Sequence, residues 1–395
     1  KENNSEKKLE ILSLLTDESF NTSFEEAKFY ALKGVTLADN TNNRQWQPRF
    51  YEKLGRMYAN LMMLDSATYF FDKALNGYTI IKDNKGQATT YFKIGWVLKR
   101  KGKIKQAMEE DLKAMKIMEQ LNDKNGIAGA MNRVSEDLFR QERFDEALEY
   151  AVKNIAFSKK NKLYEELSFA YRAAGDVKIA MASPSIALAY YDSAMLIMKQ
   201  INASIFTVLN IRNDRANAIK RMGNYKEALA EYTACLKKAE EVNYENSIYV
   251  CLANIGETNM MLGNYPEALK YQLKTVALQE KTHDLSNLTE NYEHVSSIYE
   301  KMGDYVNALK YQKLSRKMRD STAKIKSDIE RSELLTQFEK KKKDKTIALQ
   351  VSKISQQKKT QTLYIILAAL LVFILFGLFY SYQKRRKKNQ LLIKL

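Results

Sequence analysis

The chain has 395 residues, 28% of them charged, and a formal net charge of +17. Residues 313–395 hold 21 Lys and Arg against 6 Asp and Glu, whereas those before hold 43 against 41, so the basic character belongs to the tail and the chain carries none of the basic nucleic-acid motifs. Two cysteines are too few for a disulfide framework, and three prolines with little β-branched enrichment argue against strands.

From the N-terminus an alanine returns with a period of 40 residues, at Ala27, Ala67, Ala107, Ala147, Ala187, Ala228, Ala268 and Ala308, with one step of 41. Twelve residues before each stands a second small residue, Gly55, Gly95, Ser135, Gly175, Ala216, Gly256 and Ser296. Seven residues after comes a third, in the series Gly34, Ala74, Ala114, Asn154, Ala194, Cys235, Thr275 and Ser315. Small residues on such a ruler predict a stack of helical hairpins, each needing a small side chain wherever its two helices cross closely.

Between the first small residue and the alanine lies a turn, clearest in Gly223-Asn224-Tyr225, Gly263-Asn264-Tyr265 and Gly303-Asp304-Tyr305. Glycine suits a helix end that needs positive φ, and the following aromatic opens the second helix. Polar connectors such as Lys82-Asp83-Asn84-Lys85-Gly86 join one hairpin to the next. The pattern Asn254-Ile255-Gly256 followed by Gly263-Asn264-Tyr265-Pro266-Glu267-Ala268-Leu269 resembles the tetratricopeptide repeat in an extended form. The implied fold is all-α: a superhelical solenoid of about eight hairpins of ~40 residues over 1–315. Leu15 replaces the small residue of hairpin one, as a cap allows, and Pro184 replaces the plug aromatic of hairpin five, expected to bend that unit without breaking it.

Residues 316–361 read as a helical stalk without Gly or Pro, with an imperfect apolar seam suited to weak coiled-coil pairing in a homodimer. Residues 362–382 are free of charge and flanked by Tyr364, Tyr380 and Tyr382, which predicts one transmembrane helix in contact with lipid. The basic segment 383–395 then places the C-terminus in the cytoplasm and the solenoid outside, in a single-pass inner-membrane protein. This order resembles the sensor half of a Bacteroidetes-type membrane histidine kinase. Glu333-Leu334-Leu335-Thr336-Gln337-Phe338-Glu339-Lys340 is similar to its stalk, and Lys388-Asn389-Gln390-Leu391-Leu392-Ile393-Lys394 to the approach to its phosphoacceptor helix. The kinase domain is not part of the sequence, so no catalytic residue carries over.

Solenoids of this kind bind ligands in the groove lined by their first helices. Counting from the small positions puts Arg49, Glu52, Arg56, Asn132, Glu136, Asp176, Glu257 and Glu293 there, and marks Arg172, Asn210, Asn213, Asn217 and Lys220 as the candidate site. The three asparagines share one helix face and can donate and accept at once, which suits a peptide backbone. Paired carboxylates, a nucleophile with its base, metal spacing and phosphate loops are all missing from the sequence, so no enzyme, metal or cofactor is expected. The expected function is a signal-input module that binds a peptide or protein cue and relays it through stalk and membrane to a cytoplasmic output. The alternatives are a membrane-tethered scaffold for protein partners, or the same front end on a DNA-binding regulator.

Overall fold

The computed structural model describes residues 2–20, 22–282 and 287–321, with Gly377 and Ser381. The chain divides into two units, Lys1–Gln312 and Lys313–Leu395. In the second, residues 313–321 are helical.

The first unit is a run of antiparallel hairpins, each made of a helix A and a helix B. The A helices are α1 (Glu2–Ser19), α3 (Trp46–Asn60), α5 (Asn84–Arg100), α7 (Lys124–Arg140), α9 (Tyr164–Ala180), α11 (Ile205–Arg221), α13 (Glu245–Met261) and α15 (Leu288–Lys301). The B helices are α2 (Phe24–Asn40), α4 (Leu64–Ile80), α6 (Ile104–Gln120), α8 (Phe144–Asn161), α10 (Pro184–Gln200), α12 (Tyr225–Glu241) and α14 (Tyr265–Thr282), and residues 305–312 open an eighth. Each helix packs on its chain neighbours, and alternate A helices such as α7 with α9 and α11 with α13 also touch.

The ruler residues sit where the hairpins close. All eight alanines are buried. The Ser135 hydroxyl donates to the carbonyl of Ala147, which fixes the crossing of α7 over α8. At the glycine positions a large side chain from helix B, four residues beyond the alanine, fills the space instead. A Cβ on Gly55 would lie 2.5 Å from the ring of Phe71, and one on Gly175 would lie 2.6 Å from that of Tyr191. Burying one such ring contributes roughly 1.5–3 kcal/mol, which is available only while the facing position stays small.

From hairpin two onward each turn is set by one residue in the left-handed region. Gly102, Gly223, Gly263 and Gly303 hold φ between 72° and 84°. Met62, Glu142 and Ala182 adopt the same conformation, with φ of 56°, 59° and 53°, at the equivalent turns of other hairpins. The connectors use Asn42, Lys82, Asn122, Lys162, Asn202 and Asn243 in this way. Asp83 and Asp123 then cap the next A helix by accepting from the amides of Gly86 and Gly126 at 2.8 and 3.0 Å. Pro184 simply begins α10, and Tyr191 still covers Gly175 in that hairpin, so hairpin five closes like its neighbours and the expected bend has no local cause.

The membrane expectations are corrected here. No helix among the described residues is long and apolar enough to cross a membrane. The helices run to 14–18 residues, and even the apolar α10 carries Asp192 and Lys199, so none offers ~20 uncharged residues. The segment 362–382 lies outside the described residues apart from Gly377 and Ser381, as do 322–361 of the stalk and the basic stretch 383–395. The transmembrane element of the fold class, and the inner-membrane placement with an extracytoplasmic solenoid, are therefore withdrawn.

Candidate functional site

A pocket of about 680 Å³ opens on the A-helix face of α11, α13 and α15. Asn213, Asp214, Asn217, Lys220 and Arg221 line it from α11, and Val250, Asn254, Glu257 and Met261 from α13. Tyr225 and Glu290 complete its lining. Three of the five sequence-marked residues, Asn213, Asn217 and Lys220, thus share one pocket. Arg172 and Asn210 lie on the same helical faces but outside it.

The pocket lies among cross-repeat bonds between A helices. Arg172 Nε donates to Asp214 Oδ2 at 2.6 Å, tying α9 to α11. Lys220 Nζ meets Glu257 Oε2 at 2.6 Å and Asn254 Oδ1 at 3.1 Å, tying α11 to α13. Asn210 exchanges long contacts of 3.3 and 3.4 Å with the hydroxyl of Tyr244. Asn213 is only 5% exposed. Its amide nitrogen donates to Ser247 Oγ at 3.1 Å, and its oxygen accepts from Cys251 Sγ at 3.2 Å. The expectation of three parallel asparagine amides facing a ligand therefore resolves into different roles. Asn210 and Asn213 are bonded across repeats, whereas Asn217 is half-buried in the pocket wall with no protein partner among the described residues.

Charge is held tightly nearby. Arg172 faces both Asp214 and Asp176, and the hydroxyl of Tyr191 donates to Asp176 Oδ1 at 2.7 Å. Burial, together with the charge of Asp214, pushes the Asp176 carboxyl up to about 7. The second such cluster escaped the sequence reading. Lys99 Nζ lies 3.1 Å from Asp111 Oδ2 and 2.8 Å from Asp137 Oδ1, and both carboxylates are fully buried. Burial pushes Asp137 up to about 7, with the neighbouring Asp111 adding to it. Its signal lay in the ruler: two residues past the small position, the other hairpins carry side chains such as Met57, Val97, Val177 and Ile298. A carboxylate there requires a buried partner.

Cys235 and Cys251 are free, buried thiols. Contact with Cys235 and burial push the Cys251 thiol up, so it serves as a small packing group and weak donor rather than a thiolate. Among the described residues no cluster of His, Cys, Asp and Glu has the arrangement of a metal site.

Comparison with known proteins agrees with this architecture. The tetratricopeptide-repeat family model matches residues 250–286, which include most of α13 and all of α14. No curated protein matches in sequence. A Rap protein complexed with Competence and Sporulation Factor is 13% identical with a TM-score of 0.58, over 82% of this chain and 99% of that one. The Rap conjugation gene regulator of plasmid pLS20, complexed with the Phr* peptide, is 14% identical with a TM-score of 0.56, over 80% and 96%. The STAND protein PH0952 of Pyrococcus horikoshii, which has a tetratricopeptide repeat sensor, is 12% identical with a TM-score of 0.57, over 81% of this chain and 50% of that one. Nothing in these likenesses bears on a histidine kinase. At such identities they establish the fold: this chain forms a tetratricopeptide-like, all-α solenoid.

Proposed function

We propose that the solenoid is a non-catalytic input module whose A-helix groove takes up an extended peptide or protein segment. The observation that carries this is the polar pocket of about 680 Å³ on α11, α13 and α15, where Asn217 keeps both its donor and its acceptor uncommitted. Met261 and Tyr225 supply apolar wall beside it, as a pocket for a ligand side chain needs. The structurally similar Rap proteins complexed with Competence and Sporulation Factor and with the Phr* peptide support the reading by analogy of fold. Relay from the groove to a histidine-kinase output rests on the resemblance of the stalk segment 333–340.

The test is a peptide-library selection on the purified protein and on its Asn217→Trp variant, which fills the pocket from a half-exposed position. Sequences enriched by the wild type and lost from the variant support the reading. Enrichment that survives Asn217→Trp unchanged removes the pocket from the account.

A further inference from the structure

Three arginines on successive A helices at the other end of the groove are held in a common way. Arg49 lies over the ring of Trp46 at 5.1 Å, Arg100 over Trp96 at 5.0 Å and Arg133 over Phe92 at 4.8 Å. Among the described residues none of the three meets a carboxylate within ion-pair distance, although Arg133 feels the field of Glu136 and Glu166. The neighbouring acids have other partners, Glu166 accepting from the amide of Asn132 at 2.8 Å. Glu52 pairs with Lys93, Asp17 with Lys53 and Arg56, and Glu136 with Arg140.

Their registers are those of the pocket wall. Arg49 stands six residues before the small position, Arg100 five after and Arg133 two before. In hairpins six to eight, six of the nine positions at these registers, Val250, Glu290, Arg221, Met261, Asp214 and Asn254, line the pocket, and Asn210, His294 and Lys301 do not. At about 100° per residue these positions fall on one arc of the helix, so the three guanidinium groups face the same groove.

We infer that Arg49, Arg100 and Arg133 form an anion rail that binds an acidic stretch of the peptide ligand, an inference that rests on the groove reading above. An aromatic ring beneath a guanidinium fixes its plane and leaves the forked N–H edge for a carboxylate. Packed helices lie ~10 Å apart, and the offsets of 11 residues between the registers of Arg49 and Arg100 and of seven between those of Arg100 and Arg133 add about 16 and 10 Å along the helix axes, so an extended chain advancing ~3.3 Å per residue meets successive arginines after about six and about four residues. The ligand class is a peptide with Asp or Glu at that spacing.

Short fluorescein-labelled peptides carrying three Glu spaced about six and about four residues apart, with Ser between, are compared by anisotropy with the same peptides carrying Lys or Gln. The Glu peptide binds more tightly, weakens with added salt, and loses about tenfold for each of Arg100→Gln and Arg133→Gln, as for one lost charge-assisted hydrogen bond. Arg100→Lys retains part of the affinity. Equal binding of the Glu and Lys peptides, or indifference to both arginine variants, overturns the rail. So does an oligonucleotide of equal charge binding as tightly, which makes the surface a general polyanion site. If Asn217→Trp alone abolishes binding, the rail fails and the groove stands. If no peptide of the panel binds at all, the rail fails, and the library selection above decides the groove separately.

Discussion

The Ser135 hydroxyl donates a 2.8 Å hydrogen bond to the carbonyl oxygen of Ala147, and Ser296 makes the same bond to Ala308. Both pairs are 12 residues apart, the spacing at which the other hairpins after the first, which has Leu15, set a glycine or alanine against the alanine of helix B. Beyond the first hairpin the crossing thus holds glycine, alanine or a hydroxyl that bonds the facing backbone. Ser135→Ala should cost about 1 kcal/mol, the worth of one net hydrogen bond. Gly175→Ala forces a Cβ against Tyr191 and should cost roughly 1–3 kcal/mol by overpacking. Chemical denaturation of the two variants checks the order; equal losses would deny that packing sets this position.

The left-handed turns predict a gain in stability. Ala182 holds φ of 53° where other hairpins place glycine. Ala182→Gly removes the Cβ clash and should raise stability by about 1 kcal/mol. An unchanged or lower thermal midpoint would show that the turn carries no such strain.

The Lys99 cluster predicts a dependence on pH. Asp137 rises from its ordinary 3.8 to about 7 in the folded chain. Between those values the unfolded chain releases a proton that the folded chain keeps. Stability from this group is therefore full below about pH 4 and lost as pH rises through 7. The wild type should lose stability between pH 5 and 8, and Asp137→Asn should flatten that loss, with Asp176 supplying the remainder. Lys99→Met, which leaves two buried carboxylates without their cation, should cost about 3–5 kcal/mol at pH 8. A wild-type profile flat from pH 5 to 8 would contradict the assignment.

Asn213 and Asn217 should separate binding from stability. Asn213→Ala strands Ser247 and Cys251 in the interior and should cost about 1–3 kcal/mol. Asn217→Ala breaks no protein hydrogen bond among the described residues, so its thermal midpoint should match the wild type while peptide affinity falls. The reverse assignment of effects would exchange their roles.

The hairpins and their crossings were legible in the sequence because Ala27 to Ala308 and their small partners recur at a fixed period that only repeated close packing explains. The groove was legible in part. Register alone put Asn213, Asn217 and Lys220 on one face, but it could not show that Asn213 turns into the α11–α13 contact, since a helical count gives a direction and not a depth. Nor could register show the partners of Arg172 and Asn210, since Asp214 and Tyr244 come from outside their own helical turn. The Lys99–Asp111–Asp137 cluster went unseen because its members come from three helices.

A benzoylphenylalanine photocrosslinker placed at position 217, and separately at position 196, tests the central claim. Leu196 is 70% exposed on α10, outside the groove register. With a peptide enriched by the wild-type protein, position 217 should crosslink and position 196 should not. Crosslinking from 196 alone, or equally from both, would contradict a ligand held in the A-helix groove.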